Sequence, residues 1–288
     1  MKILVTGADG FTGRYFCQAA KQAGHEIIDF QADLTDTEAV SAEVKKIQPA
    51  AVVHLAAISF VGHASNAAFY AVNVVGTTNL LSAVAGLQHT PSKVLIASSA
   101  NIYGNCEVSP INEEHPPAPV NHYAASKLVM EHMARTYRDR LPIVLTRPFN
   151  YTGPGQALNF VIPKLVDHFA RRAASIELGN LNVEREFNDV RMVCKAYLAL
   201  LEYGKPGEAY NICSGQPYTL QQVIDSLTEL AGHQMDIRVN SKFVRDNEVH
   251  RLCGDPSKLT SLLKTHNIEH QHPSLSETLQ WMLEKAAS

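Results

Sequence analysis

Five short apolar runs punctuate the first half of the chain: ILVT (3–6), EIIDF (26–30), AVVHLA (51–56), KVLIA (93–97) and IVLTR (143–147). Each is rich in Val, Ile and Leu and is bounded by turn residues. Such runs predict strands buried on both faces of a parallel sheet. The intervening segments, FTGRYFCQAAKQAG and NVVGTTNLLSAVAGL among them, carry apolar residues at helical spacing instead. Strand and helix alternating at this period predict a doubly wound α/β sheet. After Arg147 the pattern loosens. RPFNYTGPGQ is rich in turn formers, FVIPKLVDHFARRA reads as a helix, YNICSG (210–215) as a strand and LQQVIDSLTELAG as the helix after it. No internal repeat or low-complexity linker sets this second part apart, so it is expected to pack against the first as a smaller lobe.

Composition narrows the function classes. A chain of 288 residues that is 45% hydrophobic can bury a large core. A formal net charge of −3 leaves no basic field for holding a nucleic acid. The opening run MKILVTG breaks at Gly7, too soon for a leader or a spanning helix, so no membrane role is expected. Cys17, Cys106, Cys194, Cys213 and Cys253 are odd in number, scattered and without a CxxC pair. They are expected to be reduced thiols in a cytoplasmic protein.

TGADGFTG (6–13) places Gly7, Gly10 and Gly13 directly between the first strand and a helix. Glycines there permit a tight turn and let backbone N–H groups approach a pyrophosphate, whose charge the helix N-terminus favours. Asp33, in ADLTD just past the second strand, reads equally as an adenine contact and as the N-cap before TEAV. The choice between NAD and NADP stays open on these residues. Asp29 lies in the second strand, Gln31 can occupy the deciding position, and Arg14 can reach a 2′-phosphate.

In HYAASKLVMEH, Tyr123 and Lys127 stand four apart and share one helical face. A free phenol is a weak base at neutrality, and an ammonium one turn away is expected to lower its pKa. Ser99, just after the fourth strand, completes a set suited to proton exchange at a carbonyl.

TGADGFTG, HLAA (54–57), NVVGTTNLL (73–81), SSANIYG (98–104), YAASK and RPFNYTGPGQ together resemble the extended short-chain dehydrogenase/reductase family over nearly the whole chain. The resemblance implies a Rossmann domain over 1–150 and about 187–212, with a nucleotide-sugar lobe over 151–186 and 213–288. It implies catalysis by Ser99, Tyr123 and Lys127 with NAD(P)H. Ser99, not Ser98, fits the family's place four before Tyr103. Phe11, Thr12, Leu34, Leu55, Ala56, Ala57, Asn73 and Pro148 would join the three glycines, Asp33, Tyr123 and Lys127 around the dinucleotide. The dehydratases of this family carry an acid and a base just after the Ser/Thr, where this chain has Ala100 and Asn101. Neither can move the protons of an elimination. Hydride transfer at one carbon remains.

RPFNYTGPGQ, FVIP (160–163), GNLNVEREFNDV (179–190) and YNICSGQ (210–216) look most like GDP-4-keto-6-deoxy-D-mannose reductases, which form GDP-D-rhamnose. By that resemblance Asn101, Asn150, Arg185, Arg245 and Glu248 meet the nucleotide-sugar substrate, the arginines through phosphate. A nucleotide-sugar 4-epimerase with bound NAD and, more remotely, a non-catalytic dinucleotide sensor are the alternatives. The chain departs from the pattern at His122, where relatives often have Pro, and at Met192, where an acid and its helix-cap contact are expected to be lost. The histidines of HNIEHQH (266–272) read as a solvated loop, not a metal site. Trp281, Leu279 and Leu283 read as one docking face of the last helix. The apolar groups spread around LVMEHMARTY imply a homodimer built on the family's four-helix bundle.

Overall fold

The structure, a computed structural model, describes residues 1–62, 64–240 and 249–287. Its centre is a six-stranded sheet. Strands β1 (Lys2–Thr6), β2 (Glu26–Asp29), β3 (Ala51–His54), β4 (Val94–Ala97) and β5 (Ile143–Pro148) are joined by a last strand at Ala209–Ile212. Every pairing is parallel, and the order runs from Ala209–Ile212 through β5, β4, β3 and β1 to β2. The chain steps outward from β1 to β2, then crosses to the other side of β1 to begin β3. That reversal opens a crevice above the carboxyl ends of β1 and β3, where ligands of wound sheets bind.

Alternation along the strands sends side chains to two cores. Ile3 and Val5 join Phe16 and Ala20 of α1 (Phe11–Gln22) and Val193, Tyr197 and Leu200 of a later helix, Val190–Tyr203. Leu4, Val52 and Val94 point the other way. They meet Val40 and Val44 of α2 (Thr37–Ile47), Leu80 and Leu81 from the helical run Asn66–Ala85, and Met130 of His122–Arg135. The run consists of α3 (Asn66–Tyr70), a π turn (Ala71–Gly76) and α4 (Thr77–Ala85), and is followed by α5 (His122–Arg135). Its length and mean hydropathy of 1.3 would suit a membrane span, yet Phe69, Leu80, Leu81 and Val84 are committed to the interior. The remaining helices are α6 (Val161–Ala170), α7 (Val190–Tyr203), α8 (Leu220–Ala231), α9 (Ser257–Thr265) and α10 (Leu275–Ala286). A third core gathers Leu165 and Phe169 of α6, Val223 and Leu227 of α8, and Leu279 of α10. Helix α9, by contrast, lays Leu259 and Leu263 against the first core.

The sheet is the wound sheet that the apolar runs predict, with strand geometry ending at Asp29 in EIIDF and at His54 in AVVHLA. Asp189 caps α7 by accepting from the Arg191 N–H, and Met192, buried in the first core, adds no second cap contact. One helical detail differs from expectation. Leu279 and Leu283 do face the third core, but Trp281 points away from them, onto Tyr15 of α1 at 5.7 Å and under the Arg191 guanidinium at 3.8 Å. Residues two apart on a helix do not share a face.

Candidate active site

The crevice is lined first by the glycine loop after β1. Gly7 has φ +69°, and a Cβ there would sit 2.9 Å from the Ala56 N and Cα. A Cβ on Gly13 would come within 2.0 Å of the Gly7 carbonyl oxygen. Only glycine lets the loop lie this tightly against the Leu55–Ala57 segment that leaves β3. Thr6 Oγ1 accepts from the Ala56 N–H at 3.2 Å and bonds His54 Nδ1 at 2.7 Å, while His54 Nε2 meets Thr77 Oγ1 at 2.8 Å. Full burial pushes His54 down to about 3, so it is a neutral crosslink between strand and helix.

From there the network runs to α5. Asn73 brackets the main chain of Ile58 through both ends of its amide and donates to Ser126 Oγ at 3.0 Å. Ser126 in turn donates to the Tyr123 carbonyl at 2.7 Å. Asn73 thus ties the post-β3 segment to the helix that carries the tyrosine and lysine.

Helix α1 begins at Gly10 without a side-chain cap, so its first-turn N–H groups form an anion-binding end. The turn-rich segment after β5 closes over it. Thr12 Oγ1 bonds the Tyr151 hydroxyl at 2.7 Å, the Tyr15 hydroxyl donates to the Pro154 carbonyl at 2.8 Å, and the Phe11 and Tyr151 rings stack. Pro148 ends β5 beneath this lid. An uncapped helix end, a glycine-rich loop and a lid of aromatic residues fit a dinucleotide diphosphate. Farther out, Leu34 packs against Gly76, where a Cβ would fall 2.9 Å from the Leu34 Cβ. Asp33 is not the cap of α2. Asp36 caps it, accepting from the Glu38 and Ala39 N–H groups, whereas Asp33 accepts from Thr35 N and Oγ1, which lower its pKa. Arg14 donates to the carbonyls of Asp9 and Gly155.

Ser99, Tyr123 and Lys127 come together at the carboxyl end of β4 and are 4%, 7% and 3% exposed. Ser99 caps the 3-10 turn Ala100–Tyr103, and Asn121 caps α5 through the Ala124 N–H. Tyr123 therefore sits in the first helical turn, with Lys127 one turn on. The Lys127 ammonium donates to the Ala97 carbonyl at 2.7 Å; burial lowers it to about 8, against the pull of Glu131. The fall expected of the phenol depends on the ammonium together with the dinucleotide's own charge; in the protein alone burial sets the direction. Burial pushes Tyr123 up, and it is the Ser99 hydrogen bond that works against the rise. Asn101 directs both its backbone N–H and its Nδ2 at Ser99 Oγ, at 3.2 and 3.1 Å. Ala100 is fully buried beside it.

Two buried charged groups near the site escaped the sequence reading. Glu131 lies one turn beyond Lys127 and takes Arg147 Nε and Nη2 at 3.0 and 2.7 Å. Arg147 Nη1 donates to the Tyr103 hydroxyl at 2.9 Å, and that hydroxyl donates to Asn211 Oδ1 at 2.8 Å. The spacing Tyr123, Lys127, Glu131 was the available signal. Glu186, inside REFND, accepts from Ser214 N, Ser214 Oγ, Gly254 N and Asn188 Nδ2, pinning three segments together. No local pattern announces that.

The remaining substrate candidates lie on this second set of segments. Asn150 is exposed directly after β5, its carbonyl accepting from Asn188 N at 2.9 Å. Arg185 donates to the Glu184 carbonyl at 2.8 Å and to the Val249 carbonyl. Arg245 and Glu248 lie outside the described residues. His122 opens α5 and bonds the Tyr70 hydroxyl at 3.0 Å. In HNIEHQH, His266 stacks on Tyr203, and His270 and His272 meet edge to face. Among the described residues no three metal-ligating side chains converge.

A family model described as GDP-mannose 4,6 dehydratase matches residues 25–267. The GDP-6-deoxy-D-talose 4-dehydrogenase of Aggregatibacter actinomycetemcomitans is 39% identical, with 91% of each chain covered. The GDP-6-deoxy-D-mannose reductase of Pseudomonas aeruginosa is 33% identical over 90% of this chain and 89% of its own. The solved structure of RMD from Pseudomonas aeruginosa complexed with NADPH superposes with a TM-score of 0.88 at 30% identity, covering 99% and 97%. The glycine loop, the buried Ser99–Tyr123–Lys127 group and these matches place the chain in the GDP-mannose 4,6-dehydratase family of extended short-chain dehydrogenases/reductases.

Proposed function

We propose that this protein is a nicotinamide-dinucleotide-dependent oxidoreductase that reduces the C4 ketone of a GDP-linked 4-keto-6-deoxy hexose. The observation that carries the reading is the composition of the buried site. A proton donor, a hydroxyl and an ammonium converge beside a diphosphate cradle, and the two positions next to Ser99 hold Ala100 and Asn101. That set can protonate one oxygen but cannot drive an elimination. The match to a dehydratase family model therefore describes ancestry of the scaffold, not this site's chemistry.

Gly7, Gly10, Phe11, Thr12 and Gly13 would hold the dinucleotide diphosphate, with Leu55–Ala57 and Pro148 against the rest of it; when bound, it supplies the hydride to C4. Tyr123 delivers its phenolic proton to the ketone oxygen. Ser99 Oγ holds that oxygen in place. Lys127, fixed by the Ala97 carbonyl one helical turn from Tyr123, would supply positive charge to the site as negative charge grows on the phenol. Asn150 and Arg185 would contact the nucleotide-sugar half, and the third core supports assigning 151–186 and 213–288 to it apart from α9, which packs on the first core.

Both named relatives act on GDP-linked 6-deoxy sugars, which supports guanine as the base. They part at C4. A GDP-D-rhamnose product carries an equatorial C4 hydroxyl, and a 6-deoxy-talose product an axial one. The greater identity of the talose enzyme supports the axial product, and the REFND and YNICSGQ segments first suggested the rhamnose one. NMR of the product formed from GDP-4-keto-6-deoxy-D-mannose with NAD(P)H decides between them. A 4-epimer formed without net cofactor consumption would overturn the reductase reading in favour of the epimerase.

The assembly we propose is a two-fold homodimer. Val75 of the run Asn66–Ala85 and Val129 and Met133 of α5 are 50%, 38% and 36% exposed on neighbouring helices. Met130 is fully buried against the sheet and takes no part in that surface, so Met130→Asp should unfold the protomer rather than part the dimer.

A further inference from the structure

The adenosine end of the cradle carries an arrangement that the catalytic site does not need. In wound sheets the residues just past the second strand read the adenosine ribose: an acid meets a 2′-hydroxyl, and an arginine accommodates a 2′-phosphate. Here β2 ends at the exposed Asp29, and the next exposed position is Gln31. The carboxylate of Glu43, reaching back from α2, accepts the Gln31 N–H at 2.9 Å and the Ala32 N–H at 2.6 Å. The two donors that a phosphate could have used at this point are already occupied by an anion.

The surrounding charges point the same way. A cavity of about 450 Å³ between the glycine loop and β2 is lined by Asp9 and Asp29, with Arg14 and Lys21 as its cations. Arg14 spends both terminal nitrogens on the Asp9 and Gly155 carbonyls. Lys21 lies seven residues farther along α1, about 10 Å down a helix that runs away from the cofactor end of the sheet. Lys45 and Lys46 are in the last turn of α2, whose end is tied by Lys2 Nζ to the start of β1 at the opposite edge. Asp29 and the Glu43 carboxylate thus stand at the end of β2, while Arg14 is bound and Lys21 enters the cavity only from the last turn of α1.

We infer that Glu43 is a specificity-determining residue that turns away a 2′-phosphate, so that the chain prefers NAD(H) over NADP(H). The inference rests on the glycine loop being a dinucleotide cradle. Two or three carboxylates within screened reach of a dianion weaken its binding by about tenfold.

Titration calorimetry of the full chain with NADH and with NADPH, without any sugar, tests this. NADH is expected to bind about tenfold tighter at low ionic strength, with the gap closing as salt screens the carboxylates. Glu43→Gln should narrow the gap and Glu43→Lys should narrow it further. Equal or tighter NADPH binding by the wild type overturns the preference, whether or not a variant folds. An unchanged gap in a Glu43→Gln protein of wild-type melting temperature overturns the role of Glu43. Binding of neither dinucleotide would instead remove the cradle, and the reductase reading with it.

Discussion

Burial raises the Tyr123 phenol while the Ser99 hydrogen bond opposes the rise, and the balance leaves a tyrosine that keeps its proton through the neutral range. For ketone reduction that is the useful state, because the phenol must donate. Tyr123→Phe should cost about 10²–10⁴-fold in turnover while dinucleotide binding by calorimetry stays close to wild type; near-native turnover would remove Tyr123 from the chemistry. The pH profile follows from its neighbours. His54 has given up its proton by about pH 3, so it does not titrate near neutrality. Lys127, lowered to about 8 by burial, does. Raising the pH through 8 discharges its ammonium, so kcat/KM for reduction should be level below about 8 and fall by one proton's worth above it. A profile that rises through pH 8 would contradict the role given to Lys127. That Ser99, Tyr123 and Lys127 come together was legible, since YxxxK and a serine after a strand are local patterns. The direction of the phenol's shift was not, because burial is set by packing that no single segment carries.

Helix α5 concentrates several roles on one cylinder. Tyr123 and Lys127 stand at the crevice, Glu131 on the same buried face turns to Arg147 of β5, Met130 fills the core, and Val129 and Met133 lie outside. The Glu131–Arg147 pair locks that helix to β5, with the Tyr103 hydroxyl and the Glu113 carbonyl satisfying the other side of the guanidinium. Removing one partner of a buried pair strands the other. Arg147→Met should therefore lower stability by about 3–5 kcal/mol in denaturant unfolding, well beyond a surface change. A loss below 1 kcal/mol would show that the pair is not held as described. The strands and α1, α6 and α8 could be read from periodicity. Helix α7 offered less, because nine of its residues are buried and its apolar positions nearly encircle it. The caps also needed coordinates: Asp33 and Asp36 are equally good candidates in ADLTD, and only the chain's path shows that Asp36 points at the helix.

On the scale of the whole molecule, the strand order decides where chemistry occurs. The reversal beside β1 sets the glycine loop, the end of β4 and the first turn of α5 around one crevice, with the third core flanking it. Three of the exposed apolar residues, Val75, Val129 and Met133, sit together on the Asn66–Ala85 run and α5. Sedimentation at micromolar concentration should give a dimer, and Val129→Glu with Met133→Glu should give a monomer of similar melting temperature. A wild-type monomer would overturn the assembly. The central claim, hydride delivery to one ketone carbon with no elimination, is tested most directly by isotope. The protein is incubated with GDP-4-keto-6-deoxy-D-mannose and NADH or NADPH carrying deuterium at the transferable C4 position, and the product is read by NMR. The account predicts one deuterium, at sugar C4, for each cofactor oxidised. Deuterium absent from C4, or product formed without cofactor oxidation, would contradict it.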